Sequence, residues 1–313
     1  MASITSYPDP DELASLYVLD SVKGFGPQKF KQVYQANLSA KEIIRRPDAL
    51  PVPGKRGEPL RKQLRELSKK NIDECRERAE KQIRVAEATT SLILTYAHPL
   101  YPKLVFDSNN PVGVLYARGN VELLRHAKAV ACVGSRKLRA PYERLHTAFA
   151  REAVSSSFTV VSGFALGADT VGHRAAVEGG GSTICVMPSG LDRPFPPENK
   201  NLWNSWLSHQ HVLFVSEFPF GTGAKSLNLR KRNKLIVAFA QGVLVSQSAA
   251  DGGAMNAYRF AMEQKKRIAT FQSDGTEETT GNHLIAQAEY QADVFPLSTD
   301  TQLFKKWLQQ LSS

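Results

Sequence analysis

The chain has 313 residues, 42% of them apolar and 22% charged; the composition excludes a disordered or low-complexity polypeptide, and the length suggests about two domains. No uncharged apolar run of about 18 residues exists, so no membrane span is expected, and the start MASITSYPDPDEL lacks the basic and apolar stretches of a secretory signal. The 40 Lys and Arg residues outnumber the 30 Asp and Glu residues, a net charge of +10 that makes a polyanion, foremost nucleic acid, a reasonable partner.

Residues 11–50 read as short helices. Leu13, Leu16, Tyr17 and Val22 recur at helical spacing, and Phe30, Val33 and Tyr34 share one face of a second helix. Between them Lys23-Gly24-Phe25-Gly26-Pro27 forms a tight turn, giving a helix-hairpin-helix pattern. Gly24 and Gly26 could present backbone N–H groups to a phosphate, or the unit could be a plain helical hairpin. Pro51, Pro53, Gly54 and Gly57 mark a loop. Residues 55–84 then carry 11 basic and six acidic residues, read as one solvated helix with i,i+4 pairs Glu66–Lys70 and Glu77–Lys81. A helical domain over 1–90, ending in this charged linker helix, follows.

From about residue 92 the pattern changes. LILTY (92–96) and VGVLYARG (112–119) read as strands around a Pro-punctuated loop. AVACVG (129–134), FTVVSG (158–163), STICVM (182–187), HVLFVSE (211–217), GVLVSQ (242–247) and RIATFQ (267–272) follow. Such continuous Val- and Ile-rich runs are expected of buried parallel strands. Helices are expected near 140–155, 168–178, 198–208, 230–240, 253–265 and 280–288, with a last amphipathic one in TQLFKKWLQQLSS. Strand–helix alternation predicts an α/β domain over 91–313, a doubly wound, mainly parallel sheet.

In such sheets ligands bind beyond the carboxyl ends of the strands. Gly134-Ser135-Arg136, the turn Ser162-Gly163 to Gly167-Ala168-Asp169, and Asp251-Gly252-Gly253 all fall there. Glycine turns that open helices are phosphate cradles, because free N–H groups and the helix dipole converge. The strongest basic run, KSLNLRKRNK, brings Lys225, Arg230, Lys231, Arg232 and Lys234 together with no acid. Arg136, Lys225 and Arg232 are expected to be exposed cations sharing one anion site. No GxGxxG follows a strand, and GxxxxGK[ST], HExxH and GxSxG are missing. His173 reads as a packed helix histidine. Three cysteines, Cys75, Cys132 and Cys185, are odd in number and far apart. They suit neither a disulfide framework nor a metal site and point to a reducing cytoplasm. No metal, cofactor or catalytic residue is expected.

Motifs from YPKLVFDSNNPVGVLYARGN through VACVGSR, VSGFALGADTVGHRAAVEGGGSTICVMPSGLDRPFPPEN, VSEFPFG and LRKRNKLIVAFAQGVLVSQSAADGG to GNHLIAQ resemble the DNA-processing protein A family, also called DprA or Smf, over residues 96–290. The resemblance implies a Rossmann-like domain behind a SAM-like helical domain. It implies a non-enzymatic protein that binds single-stranded DNA in a basic pocket, forms homodimers through the last strands and the helix 253–265, and loads a RecA-type recombinase in DNA uptake or recombination. The family's Gly-Ser-Arg motif falls on Gly134, Ser135 and Arg136; its Ser-Gly-x-Ala-x-Gly motif falls on Ser162, Gly163, Ala165 and Gly167; its DNA-contacting strip falls on Lys225, Arg232, Asn233 and Lys234.

Several positions depart from the family pattern. Leu229 stands where an aromatic is usual, Gly167-Ala168-Asp169 where Gly-Ile-Asp is usual, and Asp251-Gly252-Gly253 where Ser-Gly-Ser is usual; the winged-helix domain of many members is not expected either. Members of divergent type act as antitoxins of phosphoribosyltransferase-like toxins in phage defence, which is one alternative. Another is a nucleotide-binding or nucleotide-cleaving protein, with Glu217 as the acid beside the Gly252-Gly253 turn.

Overall fold

The computed structural model describes residues 7–109, 111–288 and 292–311; the first six residues, which belong to the stretch read as lacking a leader, and the last two, read as the end of the terminal helix, lie outside the described residues. Contacts divide the chain into two units, Met1–Ala117 and Arg118–Ser313.

The first unit contains α1 (Pro10–Ser21), α2 (Pro27–Gln35), α3 (Ala40–Arg45), α4 (Glu58–Arg65), α5 (Lys69–Ala88), β1 (Ser91–Thr95) and α6 (Lys103–Asp107); β2 (Val114–Gly119) runs across the division. Local chemistry sets the starts of these helices. The Asp9 carboxylate accepts the Asp11 N–H at 3.1 Å with Pro10 in the first turn of α1. Ser39 and Glu42 form a reciprocal capping box at α3. Leu19, Phe30, Val33, Ile43 and Leu64 bury into one cluster that also takes Tyr96, with Tyr101, Phe106 and Val114 packed against it. These aromatic residues downstream of the helices place the contact boundary after Ala117 rather than at residue 90, where composition alone changes.

The charged segment is not one helix. Ser68 takes an N-cap position and its hydroxyl accepts the Asn71 N–H at 3.2 Å, so α4 ends and α5 starts anew. Glu66, the residue that caps the end of α4, and Lys70 on α5 are therefore not on one helix, and their partners are Lys62 and Glu74 at 3.9 Å each. The five-residue α6 lies in the segment that its prolines mark as loop.

The second unit contains β3 (Ala129–Val133), α7 (Ala140–Ser155), β4 (Thr159–Ser162), α8 (Ala168–Glu178), β5 (Thr183–Val186), α9 (Lys200–Trp206), β6 (Val212–Ser216), α10 (Ser226–Ala238), β7 (Gly242–Val245), α11 (Ala254–Glu263), β8 (Arg267–Phe271), α12 (Thr280–Gln287), β9 (Asp293–Phe295) and α13 (Thr301–Gln310). Its strands pair in parallel in the order β6-β5-β4-β3-β7-β8-β9. The fold is thus the α/β, doubly wound, parallel Rossmann-like sheet that the apolar runs predict. Strand β9 adds a three-residue edge too short to read from alternation. The chain winds from β3 outward to β6, then returns to the other side of β3 as β7. Between β3 and β7 the winding reverses, and outside their carboxyl ends a crevice must open. Val133 O accepts the Ser246 N–H at 2.9 Å, and Gln247 O accepts the Ser135 N–H at 2.7 Å, so the two strand ends are tied at that crevice.

One face of this sheet carries an aromatic cluster. Phe149 is fully buried, with ring centroids 5.4 Å from Phe304, 5.8 Å from Trp307 and 6.1 Å from Phe295. Phe149→Ala removes the ring that joins α7 to β9 and α13, and should cost about 3–5 kcal/mol. Leu227→Ala, at a position 74% exposed, should stay within about 0.5 kcal/mol. Urea unfolding of both variants checks this; a Phe149→Ala cost under about 1 kcal/mol contradicts the packing described.

Candidate functional site

A cavity of about 480 Å³ occupies the switch-point crevice. Its walls come from four places in the chain: Gly134, Ser135 and Arg136 after β3; Ala165 and Asp169 at the start of α8; Ser226, Leu229, Arg230, Arg232 and Asn233 along α10; and Ser248, Ala249, Gly252 and Gly253 between β7 and α11. The sheet topology accounts for three of these, since each is a βα turn at the carboxyl edge. The fourth, α10, crosses from β6 to β7 and so passes over the crevice. The N-terminus of α11, whose first N–H groups have no partner within the helix, opens on the cavity through Gly253 and Ala254.

Arg232 and Asp169 form the charged part of the cavity wall. The Arg232 side chain is 6% exposed and that of Asp169 is 9%, and Nη1 lies 3.5 Å from Oδ2. Burial pushes the Asp169 carboxyl up and the Arg232 guanidinium down from their ordinary values, while each favours the charged form of the other. Asp169 Oδ2 also accepts the N–H groups of Gly163 at 3.1 Å and Ala165 at 3.3 Å. The guanidinium is less well provided for. Nη1 donates to Val186 O at 3.5 Å, and the buried Nε has no hydrogen-bond partner. A guanidinium carries five donors, and one left short in a buried place is a standing demand for an anion.

Two glycines are required by close approach. A Cβ on Gly163 would lie 0.9 Å from Arg232 Nη1, so the guanidinium occupies the space a side chain would fill. Gly167 has φ +72°, and a Cβ there would lie 2.4 Å from Ser135 O and 2.5 Å from Arg136 O. It is the glycine that lets α8 start against the Gly-Ser-Arg turn.

The structure therefore brings Gly134, Ser135, Arg136, Arg230, Arg232, Asn233, Gly252 and Gly253 to one cavity. The other expected contacts do different work. The Ser162 hydroxyl donates to Cys132 O at 2.5 Å, the Gly163 N–H is taken by Asp169, and neither residue lines the cavity. Lys225 is an exposed residue just before α10, and the Lys234 ammonium lies 5.1 Å from the Phe260 ring centroid. Arg232, expected as an exposed cation, is buried and ion-paired, which corrects the picture of three surface charges. Asn233 donates to Gly253 O at 3.3 Å, bracing α10 against the turn before α11. Glu217 is ion-paired with Lys231 at 2.7 Å and does not line the cavity, so it is not placed beside Gly252 and Gly253. Asp169, which the sequence places in a turn at the binding edge without assigning it a role, is the counter-ion of Arg232 on the wall. In the first unit Gly24 adopts φ +88° and Gly26 precedes α2.

His173 is no catalyst here. Its Nε2 accepts the Phe164 N–H at 3.2 Å, and Nδ1 lies 2.6 Å from the Thr183 hydroxyl. Burial and the Arg232 charge lower it to about 3, so it stays neutral. No group of three or more His, Cys, Asp or Glu that could hold a metal, and no helix long and apolar enough to cross a membrane, exists among the described residues.

Residues 92–302 match the family described as DNA recombination-mediator protein A. The chain is 30% identical over 178 residues to Protein Smf of Synechocystis sp., covering 56% of this chain and 44% of that protein. It is 29% identical over 171 residues to DNA processing protein DprA of Bacillus subtilis, covering 55% of this chain and 56% of that one. The chain thus spans about half the length of the curated relatives it matches. The fold is similar to that of DNA processing protein A from Streptococcus pneumoniae, with TM-score 0.71 and 21% identity over 95% of this chain and 98% of that one. It is also similar to a structure of DNA processing protein A from Helicobacter pylori concerned with that protein's single-stranded DNA binding mode, with TM-score 0.61 and 24% identity over 70% of this chain and 96% of that one.

Arg232→Met tests the buried pair. It leaves Asp169 without its counter-ion and should cost about 3–5 kcal/mol, whereas exposed Arg230→Met should cost little. The pH dependence has a definite sign. A folded-state value above the unfolded 3.8 means that Asp169 lowers stability as pH rises from about 4. Removing Arg232, which pulls that value down, extends the loss further toward neutral pH. Urea unfolding should therefore show the deficit of Arg232→Met relative to the parent growing from pH 4.5 to pH 7.5. A deficit that is flat or shrinks with pH contradicts the pairing.

Proposed function

This chain belongs to the DNA recombination-mediator protein A family, and from that premise we propose that it is a non-enzymatic protein that binds single-stranded DNA at the switch-point cavity. The observation that carries the reading is Arg232, a buried guanidinium on the cavity wall whose Nε lacks a partner. Phosphate oxygens are strong acceptors for guanidinium groups on a cavity wall. Arg136 and Arg230, both exposed at the same cavity, add two more charges for neighbouring phosphates. Leu229 gives the cavity an apolar wall with no aromatic ring to stack on a base, so stacking contributes less and phosphate contacts more. Nucleotide cleavage finds less support, because the carboxylate nearest in sequence logic, Glu217, is held by Lys231. Asp169 is turned to Arg232 and to backbone N–H groups, which suits a structural rather than an acid–base role.

The same reading includes a homodimer and the hand-over of bound strands to a RecA-type recombinase in DNA uptake or recombination. The competing role, antitoxin to a phosphoribosyltransferase-like toxin, is distinguished by whether a toxin gene lies beside this one.

A fluorescent 20-nucleotide strand should bind more tightly than the corresponding duplex, with affinity falling steeply as salt rises. Arg136→Ala and Arg230→Ala should each weaken binding by about 1–3 kcal/mol and lower the log–log salt slope by about one. Lys70→Ala, on an exposed position of α5, should change neither. A duplex preference, or an Arg136→Ala variant that binds like its parent, overturns the site.

A further inference from the structure

The charge in this cavity is distributed in a way that strand binding alone does not require. Arg136 and Arg230 are exposed at the mouth, but Arg232 is deep, its guanidinium seated on Gly163 at the end of β4. Beneath Gly163 the polar groups are engaged with one another: the Ser162 hydroxyl with Cys132 O, and His173 with Phe164 and Thr183. The cavity is closed on that side. A phosphodiester within a strand has two ester oxygens, each continuing into a sugar, so the chain has to enter and leave; such a phosphate stays at the mouth. A phosphomonoester has one ester oxygen and three free ones, and it can lead into a blind pocket.

Charge and size agree. Three guanidiniums and one carboxylate, Asp169, leave two positive charges around the cavity, joined by the positive end of α11. That balances a monoester of about −1.5 to −2 better than a diester of −1. The volume of about 480 Å³ lies in the range of single small-molecule sites.

Building on the reading of this cavity as the anion site, we propose that it is a phosphomonoester site, taking the terminal phosphate of a strand or the phosphate of a free mononucleotide. Arg232 lies at its floor, Arg136 and Arg230 reach it from the mouth, and the positive end of α11 faces it from the side, although the Met255 and Asn256 N–H groups there already donate to Gly252 O and Gly253 O. The strand then continues outward over the exposed start of α10.

The test uses the full chain and oligothymidylates of one length in four forms: 5′-phosphorylated, 3′-phosphorylated, hydroxyl at both ends, and covalently closed circle. Thymidine 5′-monophosphate and inorganic phosphate serve as competitors. A phosphorylated end should bind about tenfold more tightly than the hydroxyl form or the circle. Millimolar thymidine monophosphate should abolish that difference, as should Arg136→Gln or Arg230→Gln. If thymidine monophosphate binds and no strand does, the phosphomonoester site stands and the strand-binding reading fails. If a phosphorylated end gives no advantage but thymidine monophosphate competes, the site stands with the free nucleotide as its source. If all four forms bind equally and thymidine monophosphate does not compete, the proposal is overturned while strand binding survives.

Discussion

A guanidinium taken out of water needs a counter-charge, acceptors for its N–H groups and room. In this protein Arg232 receives the first from Asp169 at 3.5 Å, the last from the missing side chain of Gly163, and the second only in part. Several other features follow from that arrangement. Position 163 must be glycine. Asp169 must sit in the first turn of α8, where it also accepts two N–H groups from the preceding turn. Arg232 must lie on the inward face of α10. The deficit in its hydrogen bonding is a local instability that the surrounding fold tolerates, as functional sites commonly require.

The sheet puts this arrangement where a ligand can use it. Because β3 and β7 are neighbours while the chain winds away from β3 in both directions, the crevice between their ends is a consequence of connectivity. The Gly-Ser-Arg turn and the turn before α11 border it for the same reason. Gly167, at φ +72°, lets α8 approach the Gly-Ser-Arg turn closely enough to complete the wall. The helix α10 then acts as a lid-like crossing element whose inward residues are Arg232 and Asn233 and whose Lys231 turns away to Glu217.

Much of the fold was legible in the sequence because buried parallel strands are written as unbroken Val- and Ile-rich runs, and β3 to β8 all have that form. What escaped was short or depended on distant partners. The three residues of β9 are too few to show a period, and five-residue α6 hides among prolines. The apparent single helix over 55–84 breaks at Ser68, a capping signal outweighed in the reading by the charge pattern. In the site, the Gly134-Ser135-Arg136 and Gly252-Gly253 turns lie at the sheet edge, as their place after strands suggests, whereas the basic run does not form one strip. A helix turns about 100° per residue, so Arg232 faces the buried carboxylate of Asp169, Lys231 reaches from the surface to the largely buried carboxylate of Glu217, and Lys234 faces an aromatic ring. Gly163 looked like a phosphate cradle, and its real reason is a side chain 69 positions later, which no local pattern reveals.

The most direct test of the central claim is to observe the Arg232 Nε–H itself. In the free protein this group is buried and without an acceptor. Its assigned ¹H–¹⁵N resonance, followed by nuclear magnetic resonance during titration with a 5′-phosphorylated oligothymidylate, should move to the position of a hydrogen-bonded guanidinium and exchange more slowly with water. A resonance that stays unchanged while the strand binds would show that the phosphate never reaches the floor of the cavity.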